Sequence, residues 1–181
     1  MLFPVLLLLA GCTDVDREME RAMALRSQIL SAQECSFDVA VTADYGDQIH
    51  MFSMDCGGNA QGELTFCVTE PDTIAGITGH ISEDGGKLTF ADTVLAFPLL
   101  AEEQLSPVSA PWILFHTLRS GYLTSACMED GLLRLTIDDS YEEDALHLDV
   151  WLDDRNLPVR ADILFDGRRI LSLTVDHFQI R

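Results

Sequence analysis

Leu146-His147-Leu148-Asp149-Val150-Trp151-Leu152-Asp153, a turn at Asp154-Arg155-Asn156, and then Leu157-Pro158-Val159-Arg160-Ala161-Asp162-Ile163-Leu164-Phe165 decide the fold. In the first run Leu146, Leu148, Val150 and Leu152 alternate with His147, Asp149, Trp151 and Asp153. In the second, Val159, Ala161, Ile163 and Phe165 recur at every other position. Strand side chains point to opposite faces in turn, so each run has one apolar face. A turn this short joins antiparallel neighbours, because parallel ones need a long crossover.

The same period extends in both directions. Leu133, Leu135 and Ile137 alternate with Arg134, Thr136 and Asp138, and Asp166-Gly167-Arg168-Arg169 turns the chain into a last strand, Ile170 to Ile180. Toward the N-terminus, Phe37, Val39 and Val41 form one alternating set and Leu64, Phe66 and Val68 another. Shorter strands are predicted at Gly76 to Ile81 and Lys87 to Phe97, with turns at Gly57-Gly58-Asn59, Pro71-Asp72 and Asp84-Gly85-Gly86. Nine or ten strands with one apolar face form an antiparallel sheet that must be covered on that face.

Two helices supply the cover. Val15, Met19, Ala22, Met23, Ile29 and Leu30 recur mostly at three- and four-residue spacing, which predicts an amphipathic helix from Val15 to Ala32. A second helix, over about 109–123, begins at Ser109-Ala110-Pro111 and is apolar nearly all round through Trp112, Phe115, Leu118 and Leu123. The predicted class is α+β: a large, curved antiparallel sheet with helices packed on its concave face.

The first ten residues carry no charge, and the apolar run stops at Thr13-Asp14-Val15-Asp16. That is too short for a membrane span of about 20 residues and suits a secretory signal. Leu9-Ala10-Gly11-Cys12 resembles the lipobox of bacterial lipoproteins, in which the cysteine receives a diacylglycerol and fatty acyl groups such as palmitate. The expected layout is a signal peptide at 1–11, lipidated Cys12 with the amphipathic helix at 12–34, and the β domain at 35–181. Two acyl chains hold such a protein at the bilayer. The expected location is the extracytoplasmic face of a cell membrane.

Four further cysteines remain for a compartment that permits disulfides. Reading Asp44-Tyr45-Gly46-Asp47 as a two-residue hairpin loop places Phe37 opposite Met54 and Cys35 opposite Cys56. That register allows a Cys35–Cys56 cross-strand disulfide, and two reduced buried thiols fit the sequence as well. Cys67 with Cys127 is a pairing by elimination only.

Eleven Lys and Arg against 30 Asp and Glu give a formal charge of −19. Nucleic acid is excluded as a partner, since phosphate would be repelled. The five histidines, His50, His80, His116, His147 and His177, lie on separate elements without metal-ligand spacing. No nucleophile elbow, phosphate loop or dinucleotide fingerprint occurs. The reading is therefore non-enzymatic, with no catalytic residue, metal or cofactor.

An N-terminal helix, the strand pair Cys35 to Cys56, a central Pro-initiated helix at Ala110 to Gly121 and the closing pattern Leu148 to Asp154, Leu157 to Ile163 and Val175-Asp176-His177-Phe178 together resemble the LolA-like lipoprotein superfamily. The likeness covers nearly all of the mature chain. It implies a half-open barrel wrapped around helices and enclosing an apolar cavity. The lipid-anchored clostridial and bacillar branch, some of whose members act in sporulation or germination, is the most similar. The soluble periplasmic carriers lack an anchoring cysteine. A protein fixed by Cys12 receives or presents a ligand and does not ferry it.

Phe37, Val39, Phe52, Met54, Phe66, Phe90, Trp112 and Phe115 are the candidate wall of that cavity, able to hold a lipid or an apolar lipoprotein segment. The alternative is a fully packed interior. The chain is then a regulatory or interaction lipoprotein of sporulation, germination or envelope physiology that meets an envelope protein partner through its acidic outer face.

Overall fold

Three- and four-residue spacing puts Ala22, Leu25 and Ile29 on one stripe of helix α1 (Thr13–Ser31), and these three are buried. Met23 and Leu30, counted in the predicted stripe, point away from it and are each 51% exposed. The computed structural model describes residues 13–91, 93–97, 100–101, 104–142 and 145–181. The expected signal peptide at 1–11 and the expected acylation site Cys12 lie outside the described residues.

Among the described residues eleven strands form one antiparallel sheet. In chain order they are β1 (Glu34–Asp44), β2 (Ile49–Asn59), β3 (Leu64–Glu70), β4 (Thr78–Ser82), β5 (Gly85–Phe90) and β6 (Thr93–Phe97), then β9 (Tyr122–Glu129), β10 (Leu132–Asp138), β11 (His147–Leu152), β12 (Pro158–Phe165) and β13 (Arg168–Ile180). β7 (Leu100–Ala101) and β8 (Gln104–Leu105) make a separate two-stranded ribbon. The order across the sheet is β6-β5-β4-β3-β2-β1-β13-β12-β11-β10-β9, so the last long strand closes against the first.

Helix α2 (Ala110–Ser120) follows a 3-10 turn at Pro107–Ser109 and packs on β2, β3, β13 and β10. β3 and β10 are six places apart in the sheet order, about 29 Å on a flat sheet at roughly 4.8 Å per strand. An 11-residue helix is only about 16 Å long. One short helix can touch both strands because the sheet curls around it. Ala110 to Phe115, Thr117 and Leu118 are all buried, as an all-round apolar helix requires.

The predicted helix end at 123 is corrected to Ser120. A Cβ on Gly121 would lie 2.6 Å from Thr117 Cγ2 and 2.7 Å from Ile137 Cγ2, so the chain leaves the helix where only glycine fits. Tyr122 and Leu123 start β9, whose mixed exposure as an edge strand hides its period in the sequence.

The hairpin register is corrected too. Asp44 pairs with Ile49, which leaves a four-residue loop, Tyr45 to Gln48, instead of two. The Tyr45 N–H donates to Gln48 O at 3.1 Å, the Gly46 N–H donates to Asp44 Oδ1 at 2.8 Å, and Gly46 takes φ +88°. Phe37 therefore faces Cys56, Val39 faces Met54, and Cys35 faces Gly58. A slip of two residues keeps every side chain on its predicted face but separates the cysteines. Cys35 and Cys56 are buried, free thiols.

On the outer face Trp151 occupies a position predicted to be polar, yet it is only 6% exposed. Its Nε1 donates to Glu129 Oε2 at 2.6 Å, while Arg160 lies 3.5 Å and Arg134 5.6 Å from its ring centre. Arg134 in turn donates to Asp149 at 2.8 Å. Basic side chains cover the indole, and the acidic ones satisfy them.

Candidate functional site: an apolar cleft at the open end of the sheet

The middle of the concave face is filled. Phe37 stacks on Phe178 at 5.2 Å between ring centres. Phe115 covers Gly58, where a Cβ would come within 2.5 Å of its ring, and Phe66 covers Gly79 in the same way. The Trp112 indole N–H donates to Gly62 O at 3.0 Å, and its ring stacks on His116. Val39 and Met54 are buried beside them. These six predicted wall residues, Phe37, Val39, Met54, Phe66, Trp112 and Phe115, are brought together as packed core.

At the open end, where β2 begins and β3 finishes, the helix no longer fills the space. A cleft of about 880 Å³ remains there. Phe52 of β2, Val68 of β3 and Leu105 are its buried lining, and Ile77, Leu88 and Val108 line it half-buried. The volume lies within the roughly 300–1,000 Å³ of small-molecule sites. Phe52 is the one predicted wall residue that lines it. Phe90 lies toward the sheet edge on β5 and is 57% exposed.

Tyr45 braces the cleft. It stands in the β1–β2 turn and donates its hydroxyl to Leu105 O at 2.6 Å, tying that turn to the segment leading into α2. Burial pushes the Tyr45 hydroxyl above its ordinary value, which keeps it a donor. His50 lies beside it, with ring centres 6.3 Å apart. Asp47, Gln48 and Ser106 complete a polar rim, and Ile49, Met51 and Ile74 stand exposed at the mouth. A buried apolar lining with exposed polar groups around it suits a hydrocarbon chain carrying a polar head.

Tyr45, Val68, Ile77, Leu88, Leu105 and Val108 were not among the predicted site residues. Val68 was visible in the alternation of β3, whereas Leu105 and Val108 sit in a segment with no period of its own. Burial pushes the Cys56 thiol well up, helped by Asp55 and Asp38, and burial likewise raises Cys35, so neither of these two is poised as a nucleophile. Among the described residues no three His, Cys, Asp or Glu side chains are grouped to hold a metal ion, and no helix is long and apolar enough to cross a membrane.

No protein-family model matches the sequence, and neither does any curated protein. Solved structures do match. A LolA superfamily protein from Nitrosomonas europaea superposes with a TM-score of 0.50 at 9% identity, over 88% of this chain and 93% of that one. The lipoprotein LppX from Mycobacterium tuberculosis gives a TM-score of 0.44 at 15% identity, over 93% of this chain and 96% of its own. With its eleven-stranded open sheet curled around two helices, the chain has a LolA-like fold.

Proposed function

We propose that this chain is a non-enzymatic lipoprotein, anchored through acylated Cys12 on the extracytoplasmic face of a cell membrane, that binds an apolar ligand in the cleft between Phe52, Val68, Ile77, Leu88, Leu105 and Val108. The ligand class is an acyl chain, from a lipid or from the lipidated segment of another lipoprotein. The observation that carries the reading is the cleft itself, about 880 Å³, whose buried lining residues Phe52, Val68 and Leu105 are apolar while Asp47, Gln48 and His50 are exposed. The LolA-like fold supports it, and the Leu9-Ala10-Gly11-Cys12 motif supports the anchor. Gentle purification from the membrane followed by mass spectrometry of the released lipid tests it. Stoichiometric fatty acyl species are expected; an empty protein that also shows no saturable uptake of a fluorescent fatty acid overturns it.

A protein partner is the second reading, favoured by the solid packing of Phe37, Phe115 and Phe178 in the middle of the sheet. It belongs with the regulatory role in sporulation, germination or envelope physiology. Crosslinking in cells separates the two: a single dominant protein adduct with no bound lipid supports this second reading.

A further inference from the structure

Two strands end the eleven-stranded sheet, and they end it differently. β9 lies against α1, whose Arg21 reaches Met128 Sδ at 3.7 Å. Along the outer edge of β6 no strand is paired among the described residues. β6 reads Thr93-Val94-Leu95-Ala96-Phe97 between Asp92 and Pro98; within the strand there is no charge, proline or bulge, three of the devices by which an edge strand avoids pairing. Val94 and Leu95 point to opposite faces, and they are 63% and 62% exposed. A bilayer is a poor occupant, because a strand edge in hydrocarbon leaves its N–H and C=O groups without partners. A second strand satisfies the backbone and covers both apolar faces at once.

We propose that β6 pairs with β6 of a second copy of this chain, the two strands running antiparallel about Leu95. Charge selects this surface. At −19, two copies repel each other in most orientations. From Gly85 to Phe97 the sequence holds one Lys and one Asp, so the β5–β6 hairpin is a neutral approach. The register about Leu95 sets Thr93 against Phe97 and Val94 against Ala96, small against large on each face. The contact is isologous and closes at two copies. A five-residue strand pair buries less than the roughly 1,600 Å² of a standard interface. The dimer is accordingly weak in free solution and gains from any tether that holds both copies on one surface. The inference is independent of what the cleft binds.

Mild oxidation of membranes carrying the Leu95→Cys chain tests the register, since directly opposed cysteines on antiparallel strands are within disulfide reach. Thr93→Cys is the control, because the two-fold sets its copies four residues off register and it reports collisions and the native thiols. A Leu95→Cys dimer forming at least about tenfold faster than the control is expected. In detergent-solubilised protein with wild-type β6, a dimer strengthened by added salt and abolished by Leu95→Lys at unchanged melting temperature is also expected. Equal crosslinking rates overturn the proposal, and so does a detergent-solubilised protein that stays monomeric at every salt concentration up to the highest protein concentration reached. So does loss of vesicle binding as the only effect of Leu95→Lys.

Discussion

Arg26 and Arg119 cap each other's helices. Arg26 of α1 donates from Nε to Leu118 O at 2.9 Å and from Nη2 to Thr117 O at 3.5 Å, in the last turn of α2. Arg119 of α2 donates from Nη1 to Ile29 O at 3.4 Å, in the last turn of α1, and from Nη2 to Ala60 O at 2.8 Å in the β2–β3 turn. The last carbonyls of a helix have no partner within it and stand at the negative end of its dipole, so a guanidinium satisfies both needs. The pair ties the last turn of α1 to the last turn of α2.

Arg26→Met keeps the apolar stem and removes only the charged donors. It is expected to destabilise the protein by about 2 kcal/mol, the scale of a hydrogen bond to a charged group. Urea unfolding measures it. Arg26→Met combined with Arg119→Met should cost less than the sum, because the two act on one junction.

Gly58 is the position at which the sheet lets α2 approach. Its backbone is not left-handed; the constraint is space, with Phe115 Cζ 2.5 Å from where a Cβ would lie. Gly58→Ala should therefore cost about 1–3 kcal/mol by overpacking. Phe115→Leu in the same chain should recover part of that loss. A Gly58→Ala protein as stable as the parent would show that α2 is not seated against β2.

These two contacts mark how far the sequence could be read. Alternation placed Phe37, Val39, Phe66, Leu148 and Val150 on the covered face, and all five are buried. It could not count the residues in the Tyr45 to Gln48 loop, since a slip of two leaves the alternation intact, and so Cys35 acquired the wrong partner. The aromatic residues of the strands read equally well as cavity wall and as core. The length and placement of α2 decide between those, and neither is a property of the strands. The cleft lies where α2 does not reach, and half of its walls come from loops.

At the cleft, Leu88→Glu places a carboxylate on a half-buried wall without disturbing the packed middle. Acyl-chain affinity is expected to fall by at least about tenfold, the cost of setting a charge against hydrocarbon, while the melting temperature changes little. Tyr45→Phe removes the hydroxyl from Leu105 O. Hydrogen exchange should then speed up at Ser109, whose N–H bonds to Ser106 O in the turn that Tyr45 braces, with a global loss of about 1 kcal/mol. Unchanged binding in Leu88→Glu would place the ligand elsewhere.

Cys12→Ser removes the proposed acyl attachment point while leaving the Leu9-Ala10-Gly11 run in place. The expected result is loss of fatty acid labelling and release of the folded domain from the membrane fraction, because two acyl chains account for the affinity of a domain with charge −19. Labelled, membrane-bound Cys12→Ser protein would rule out the anchor.

His116 and His177 should titrate on opposite sides of the ordinary value of 6.5. Burial against Trp112 pulls His116 down, partly opposed by Glu83, whereas the 2.7 Å hydrogen bond to Asp38 pushes His177 up. The consequences for stability differ in sign. His177 contributes fully below 6.5, and its contribution is lost as pH rises through its raised folded value. For His116 the unfolded chain takes the proton first, so stability falls as pH drops below 6.5 and levels off once the folded protein is protonated too. NMR titration of the imidazole protons reads both midpoints. Asp38→Asn should return His177 toward 6.5 and leave His116 where it is. A joint shift of both midpoints would mean that the overall charge, and not the named contacts, governs them.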